Sequence, residues 1–168
     1  WLNGQHIRML SPDALCDRVL PILREQGFPV DERSRDWLVE MAAICQEKIP
    51  TLNHIIPYTD FFFAAPTAYD EKGDRKFFRQ DTSLQALEAA LECMRQADEW
   101  TVTALKESYE AAAEQKELKI GALVNGTRLA LTGKTVGPGL YELVKLLGRE
   151  ESVQRMEAAL NYIKTSGE

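Results

Sequence analysis

The sequence predicts an all-α fold built from two consecutive helical bundles. Apolar residues recur at three- and four-residue spacing in several segments, and helix-start and helix-stop residues bracket those segments. No segment alternates convincingly between apolar and polar residues, as a half-buried strand would. The 168 residues suffice for one domain or two small ones, and 45% hydrophobic and 27% charged residues are ordinary for a globular protein.

The first half of the chain contains three predicted helical segments. Ser11 is the predicted N-cap of the first, with Pro12 as its first helical residue and Gly27 as its stop. Asp31 is the predicted cap of the second. The third ends in Phe61-Phe62-Phe63. Because adjacent aromatics on a helix point in three directions, we interpret them as core or interdomain packing rather than a platform for stacked bases.

The middle of the chain combines a loop-like stretch with two amphipathic helices. Residues 66–81 collect turn-forming and charged residues; they are the most loop-like stretch of the chain and a predicted domain boundary or surface excursion. Thr82 and Gln85 have the spacing of a capping box ahead of the next helix. A further helix is predicted over residues 101–117, and the two bundles are predicted to divide near residues 96–100.

The last third ends in two predicted helices separated by a glycine. Pro138 is predicted to occupy the first helical position after Gly137, and Leu140 begins an apolar stripe that Gly148 ends. The final helix carries apolar residues at helical spacing, namely Val153, Met156, Leu160 and Ile163.

Positive charge is concentrated in one part of an acidic protein. The chain carries a formal net charge of −6, yet residues 116–149 contain six Lys or Arg and two acids, a local net charge of +4. An anionic partner would be drawn to this segment, although solvated helix faces that balance acidic neighbours are the simpler reading. Arg128 stands apart because Leu129, Ala130 and Leu131 follow it, so its planar guanidinium is expected to be held by packing.

Several other chemistries find no support in the sequence. Gly133-Lys134-Thr135 matches the end of a phosphate-binding loop, but Arg128 stands where that pattern needs its first glycine. His6 and His54 have no partner at metal-ligand spacing, and the three widely spaced cysteines favour reduced thiols over a disulfide framework or a zinc site. No catalytic residues and no metal ligands are therefore predicted.

Targeting signals are also missing from the sequence. No apolar run approaches the roughly 20 residues of a membrane helix, and the first residues do not resemble a signal peptide. Since the chain does not begin with methionine, we expect a fragment of a longer protein. The reduced cysteines favour an intracellular protein, and we expect it to be cytoplasmic.

Three blocks of sequence together resemble the C-terminal anticodon-binding region of bacterial glutamyl-tRNA synthetases. The blocks are Thr127-Arg128-Leu129-Ala130-Leu131-Thr132-Gly133, then Gly137-Pro138-Gly139-Leu140-Tyr141-Glu142-Leu143, then Leu147-Gly148-Arg149-Glu150 with Arg155. The resemblance extends upstream through residues 52–63 to the opening Trp1-Leu2-Asn3-Gly4-Gln5-His6-Ile7, and is weakest over residues 67–79.

The resemblance implies a two-part α-helix cage, a class I synthetase anticodon-binding region, and a set of partners. Residues 1–29 would end the connecting region and form the first helix, residues 30–98 the first anticodon-binding subdomain, and residues 99–168 the second. The implied partner is tRNA(Glu), with tRNA(Gln) left open and no membrane partner, for a monomeric protein. The parent enzyme would join glutamate to tRNA using ATP and Mg²⁺, whereas this fragment would bind without catalysis and without a cofactor.

Five positions are implied to contact or shape the anticodon. Arg128 matches the family arginine that reaches an anticodon base, while Pro138 and Leu140 match residues that shape the pocket. Lys145 falls where some members place a basic residue, and Gly137 stands where members often carry a hydroxyl side chain. Residues 48–51 lie near a position associated with rejecting tRNA(Gln), and no residue there can be matched.

Two alternatives stay open at the level of sequence. The chain could be a helical protein-interaction scaffold, docking through exposed apolar surface around Phe61, Phe62 and Phe63. It could also be the anticodon-binding domain of a class I lysyl-tRNA synthetase, which has a related helix cage.

Overall fold

The structure is a computed structural model that describes residues 3–167. Within that range the regular structure consists of helices, together with one isolated bridge between Asn3 and Thr51. The all-α prediction is confirmed. Trp1 and Leu2, which open the family resemblance, lie outside the described residues.

The chain divides into two compact units by its internal contacts. The first contains the described residues up to Ala64 together with Gly137–Gly139, and the second contains Ala65–Val136 and the residues from Leu140 onward. The subdomain boundaries after residues 29 and 98 stay a prediction.

The first unit contains four α-helices and two short 3₁₀ turns. The helices are α1 (Gly4–Met9), α2 (Pro12–Glu25), α3 (Arg35–Cys45) and α4 (Ile55–Phe63), and the turns are Val30–Glu32 and Leu52–His54. Its core forms where α2 packs on α3 and α4. The fully or nearly buried side chains there include Leu15, Val19, Leu23, Met41, Cys45 and Ile55.

Helix ends in this unit follow the sequence in one case and depart from it in another. Ser11 caps α2 by accepting a hydrogen bond from the Ala14 N–H at 3.1 Å, as predicted. The predicted cap at Asp31 is wrong, because Ser34 caps α3 and the Asp31 carboxylate instead accepts from Arg24 Nη2 at 2.8 Å.

The three phenylalanines at the end of α4 form an aromatic cluster. Phe61 and Phe62 are 2% and 1% exposed, and Trp37 meets the rings of Phe62 and Phe63 edge-on at 5.8 Å. Phe28 stacks on Phe63 at 5.3 Å. The prediction of core packing is confirmed, so the surface that the scaffold alternative would use for docking is largely buried.

The second unit is arranged around one central helix. Its members are α5 (Glu71–Gly73), which continues into a π turn (Asp74–Phe78), then α6 (Ser83–Gln96), α7 (Val102–Gln115), α8 (Ile120–Thr132), α9 (Leu140–Leu147) and α10 (Arg149–Ser166). Helix α6 packs against α7, α8 and α10 because its Ala and Leu residues allow close approach on more than one side.

Two sequence-based details in this unit are wrong. Residues 66–81 are loop only in part, since α5 and the π turn occupy Glu71–Gly73 and Asp74–Phe78, although the division between the two units, after Ala64, falls close to the boundary predicted there. Thr82 makes no side-chain capping bond, and the Ser83 hydroxyl instead accepts from the Gln80 N–H at 3.0 Å. A turn in which the Ser83 hydroxyl bonds the Gln80 N–H therefore stands where the capping box was predicted.

Candidate functional site

Arg128 lies on α8 directly before the buried last turn of that helix. Leu129, Ala130 and Leu131 are fully buried, whereas Arg128 is half-buried. Burial lowers the pKa of the Arg128 guanidinium, and the negative charge of Glu142 on α9 opposes that shift. Because an arginine pKa starts far above neutrality, the group stays charged, so the site offers a partly dehydrated, oriented cation.

The end of α8 is fixed by a left-handed glycine and a threonine hydroxyl. Gly133 has φ +74°, and an ideal Cβ there would lie 2.6 Å from the Ala68 carbonyl oxygen. The Thr132 hydroxyl donates to the Arg128 carbonyl at 2.7 Å and accepts from the Lys134 N–H at 3.0 Å. The basic loop after α8 therefore leaves the helix in one defined direction.

A buried arginine on α10 supports the same helix end. Arg155 is 5% exposed, and its Nη1 donates to the Leu131 carbonyl at 2.7 Å while its Nε donates to Glu151 Oε1 at 2.8 Å. A cation beside the last carbonyls of α8 also complements the negative end of that helix dipole. Arg155 belongs to the third sequence block, but the sequence predicts no role for it, because its acceptor Leu131 lies 24 residues away.

Helix α9 carries two of the other candidate residues. Leu140 is its first residue and is 4% exposed, while Lys145 is exposed on the last turn. Since α8 packs against α9, the second unit brings Arg128, Leu140 and Lys145 onto two adjoining helices. Tyr109 on α7 contacts both of these helices. Its hydroxyl bonds the Thr127 hydroxyl of α8 at 3.0 Å, and its ring meets the Tyr141 ring of α9 edge-on at 5.5 Å.

Gly137 and Pro138 are placed differently from the expectation. Helix α9 begins at Leu140, so Pro138 lies two residues before the first helical position, and the predicted N1 role is wrong. Pro138 is buried and Gly137 half-buried, and both group with the first unit. The roles of all five positions toward a ligand stay predictions.

Arg149 and Lys116, two basic residues of the 116–149 segment, make contacts within the second unit. The Arg149 guanidinium lies 5.1 Å from the centre of the Trp100 ring and donates to the Ala97 carbonyl. The Lys116 Nζ atom lies 3.9 Å from Glu92 Oε2. Part of the local charge of +4 is therefore used in contacts of Arg149 and Lys116 within the unit, while the side chains of Lys119 and Lys145 are exposed.

Metal and membrane chemistry gain no structural support within residues 3–167. His, Cys, Asp and Glu form no group of three that could hold a metal ion in this part of the chain. The helices that the structure describes are too short or too polar to cross a bilayer. Cys16, Cys45 and Cys93 are buried and unpaired with one another, and burial raises the pKa of the Cys45 thiol to about 12.

Comparison with known proteins gives consistent matches. The sequence pattern of the family described as "Anticodon binding domain" matches residues 14–160. The glutamate–tRNA ligase of Moorella thermoacetica is 33% identical over 167 residues, covering 98% of this chain and 34% of the relative. Glutamate–tRNA ligase 2 of Thermoanaerobacter pseudethanolicus is 29% identical over 164 residues, with 98% and 34% covered.

Solved structures agree with this match. A glutamate–tRNA ligase from Elizabethkingia meningosepticum superposes with a TM-score of 0.84 at 25% identity, covering 96% of this chain and 31% of that one. The glutamate–tRNA synthetase of Elizabethkingia anophelis gives a TM-score of 0.81 at 25% identity, covering 95% and 30%. The chain thus spans about a third of the length of the relatives that it matches. It belongs to the anticodon binding domain family and corresponds to the part of glutamate–tRNA ligases that carries this domain.

Proposed function

We propose that this chain binds the anticodon loop of tRNA(Glu). The observation that carries the proposal is the family match over residues 14–160, which includes the half-buried Arg128 on α8. Its relatives are named as ligases of glutamate and tRNA, and an anticodon-binding part recognises the tRNA rather than performing the ligation.

The electrostatics of the second unit suit this partner. Anticodon nucleotides lie in a single-stranded loop, where bases can be splayed out and read on their pairing edges by a few well-placed groups. Arg128 supplies a planar pair of donors for a base edge, and its partial burial restricts the directions in which they point. Lys145 supplies exposed positive charge on the adjoining helix for the phosphate backbone.

The proposal extends to the whole protein of which this chain would be a part. That protein would attach glutamate to tRNA(Glu) in the cytoplasm, with tRNA(Gln) as a second candidate acceptor, and would act as a monomer. ATP and Mg²⁺ would bind its catalytic part, outside this chain, and residues 30–98 and 99–168 would be the two anticodon-binding subdomains.

Binding of labelled tRNA(Glu) to the 168-residue chain tests the proposal. Fluorescence anisotropy should show saturable binding that weakens as salt rises, because contacts to phosphates release counterions. The same concentration of an unrelated tRNA serves as the matched control and should bind more weakly. Absence of binding at low salt, or equal binding of both tRNAs, would contradict recognition of tRNA(Glu).

A further inference from the structure

The second unit contains a cleft that the candidate residues above do not use. It has a volume of about 670 Å³, lies between the π turn and the start of α8, and is lined chiefly by Lys76, Phe77, Gln80, Lys119, Gly121 and Asn125. We call it the α8 cleft. Its walls are largely apolar, and cations outnumber acids, with Lys76 and Lys119 against Glu117.

The α8 cleft lies on the same side of α8 as Arg128. Successive residues of an α-helix turn by about 100°, so Gly121, Asn125 and Arg128, at spacings of four and three, share one face. An ideal Cβ on Gly121 would lie 3.7 Å from Asn125 Nδ2, so the Asn125 amide lies over the first turn of the helix. The cleft and Arg128 therefore form one strip about two turns long.

The side chains that line the α8 cleft suit a ligand that combines an anionic group with an aromatic ring. The exposed Lys119 occupies the N-cap position of α8, where the positive end of the helix dipole adds to its charge. The Lys76 ammonium lies 5.4 Å from the centre of the half-buried Phe77 ring, which pairs a cation with an aromatic surface. Asn125 and Gln80 add amides that can bond a base edge or a ribose.

We propose that the α8 cleft binds one unstacked nucleotide of the tRNA, next to the nucleotide that Arg128 contacts. The base lies against Phe77, and its phosphate faces Lys119 and the start of α8. This inference rests on the proposed function, because it assigns a second contact to the same RNA partner. Two lysines against one glutamate give the cleft a net positive charge within a protein of net charge −6, which favours an anionic ligand such as the phosphate of a nucleotide.

Two classes of variant test the cleft in the 168-residue chain, with labelled tRNA(Glu) as the probe. Phe77→Leu keeps apolar volume and removes the ring, and should weaken binding by about 5- to 100-fold, the range for a lost base–aromatic stack. Lys119→Ala should lower the slope of log affinity against log salt by about 0.7, the value for one phosphate on a single strand. Lys106→Ala, at an exposed lysine of α7 outside the cleft, is the control and should change neither.

The outcomes separate the cleft from the proposed function. If Arg128→Ala weakens binding while Phe77→Leu and Lys119→Ala behave like Lys106→Ala, the proposed function stands and the cleft proposal is overturned. If the unmodified chain binds no tRNA, both are overturned. Should Phe77→Leu lose helicity by circular dichroism, Lys119→Ala decides alone, because an exposed side chain contributes little to folding.

Discussion

Three arginines of the second unit, Arg128, Arg149 and Arg155, are half-buried or buried, each in a different environment. Arg155 is buried and bonds a backbone carbonyl and a carboxylate, so its charge is used to hold α10 against the end of α8. Arg149 lies over Trp100 and secures the segment that follows α6. Arg128 is half-buried near Glu142 and keeps accessible surface, which makes it the arginine of the three best placed to meet a ligand.

Arg155 gives a prediction about stability. Arg155→Met retains much of the side-chain volume but leaves the Leu131 carbonyl without its buried donor, and should lower the free energy of unfolding by about 1–3 kcal/mol. Arg155→Ala should cost more because it also leaves a cavity. Urea denaturation followed by circular dichroism measures both, and a neutral Arg155→Met would show that the hydrogen bond is not stabilising.

At the scale of elements, the ends of α8 and α9 determine where the candidate residues lie. Gly133 closes α8 in a left-handed conformation, and the Asp70 N–H donates to the Gly133 carbonyl at 2.8 Å. The chain therefore needs glycine at this position both for its φ angle and for the space beside Ala68.

A pair of glycine variants separates those two requirements. Gly27→Ala places a side chain at φ +83° with no heavy atom within 4 Å, and should lower the free energy of unfolding by about 1–2 kcal/mol through backbone strain. Gly133→Ala adds a close approach of 2.6 Å to the Ala68 oxygen, and should cost about 1–3 kcal/mol more. If Gly27→Ala and Gly133→Ala lower the free energy of unfolding equally in thermal or urea denaturation, the close approach to Ala68 does not contribute.

The sequence predicted helices better than it predicted their ends. Ser11 was identifiable because it precedes Pro12 and an apolar stripe, and local chemistry decides that cap. Asp31 was a comparable candidate, but its carboxylate forms an ion pair with Arg24, and Ser34 is the N-cap of α3. Such choices depend on residues that only the fold brings close, which periodicity does not reveal.

The same limit applies to the candidate site. Arg128 was identified because charge embedded in an apolar run is unusual, and the structure places it half-buried. The role of Arg155 was missed, since its acceptor Leu131 is 24 residues away and no local pattern connects them. Phe77 and the α8 cleft were missed because residues 66–81 have a loop-like composition, whereas a π turn places Phe77 in the lining of the same cleft as Lys119.

At the scale of the whole molecule, an acidic protein presents positive charge in a restricted region. The chain has a net charge of −6, and residues 116–149 have a net charge of +4 in which Arg149 and Lys116 make internal contacts. Binding of RNA by this chain should therefore depend on a few directed contacts more than on a broad basic surface.

The most direct test of the central claim is a cycle of anticodon and Arg128 changes. Affinities of the unmodified chain for tRNA(Glu) transcripts with each anticodon base replaced should show at least one replacement that costs about 1–3 kcal/mol. In Arg128→Ala, that replacement should cost little further, while other replacements keep their effects, and Lys106→Ala should leave every difference intact. Equal affinity of the unmodified chain for all transcripts would contradict anticodon recognition by this protein.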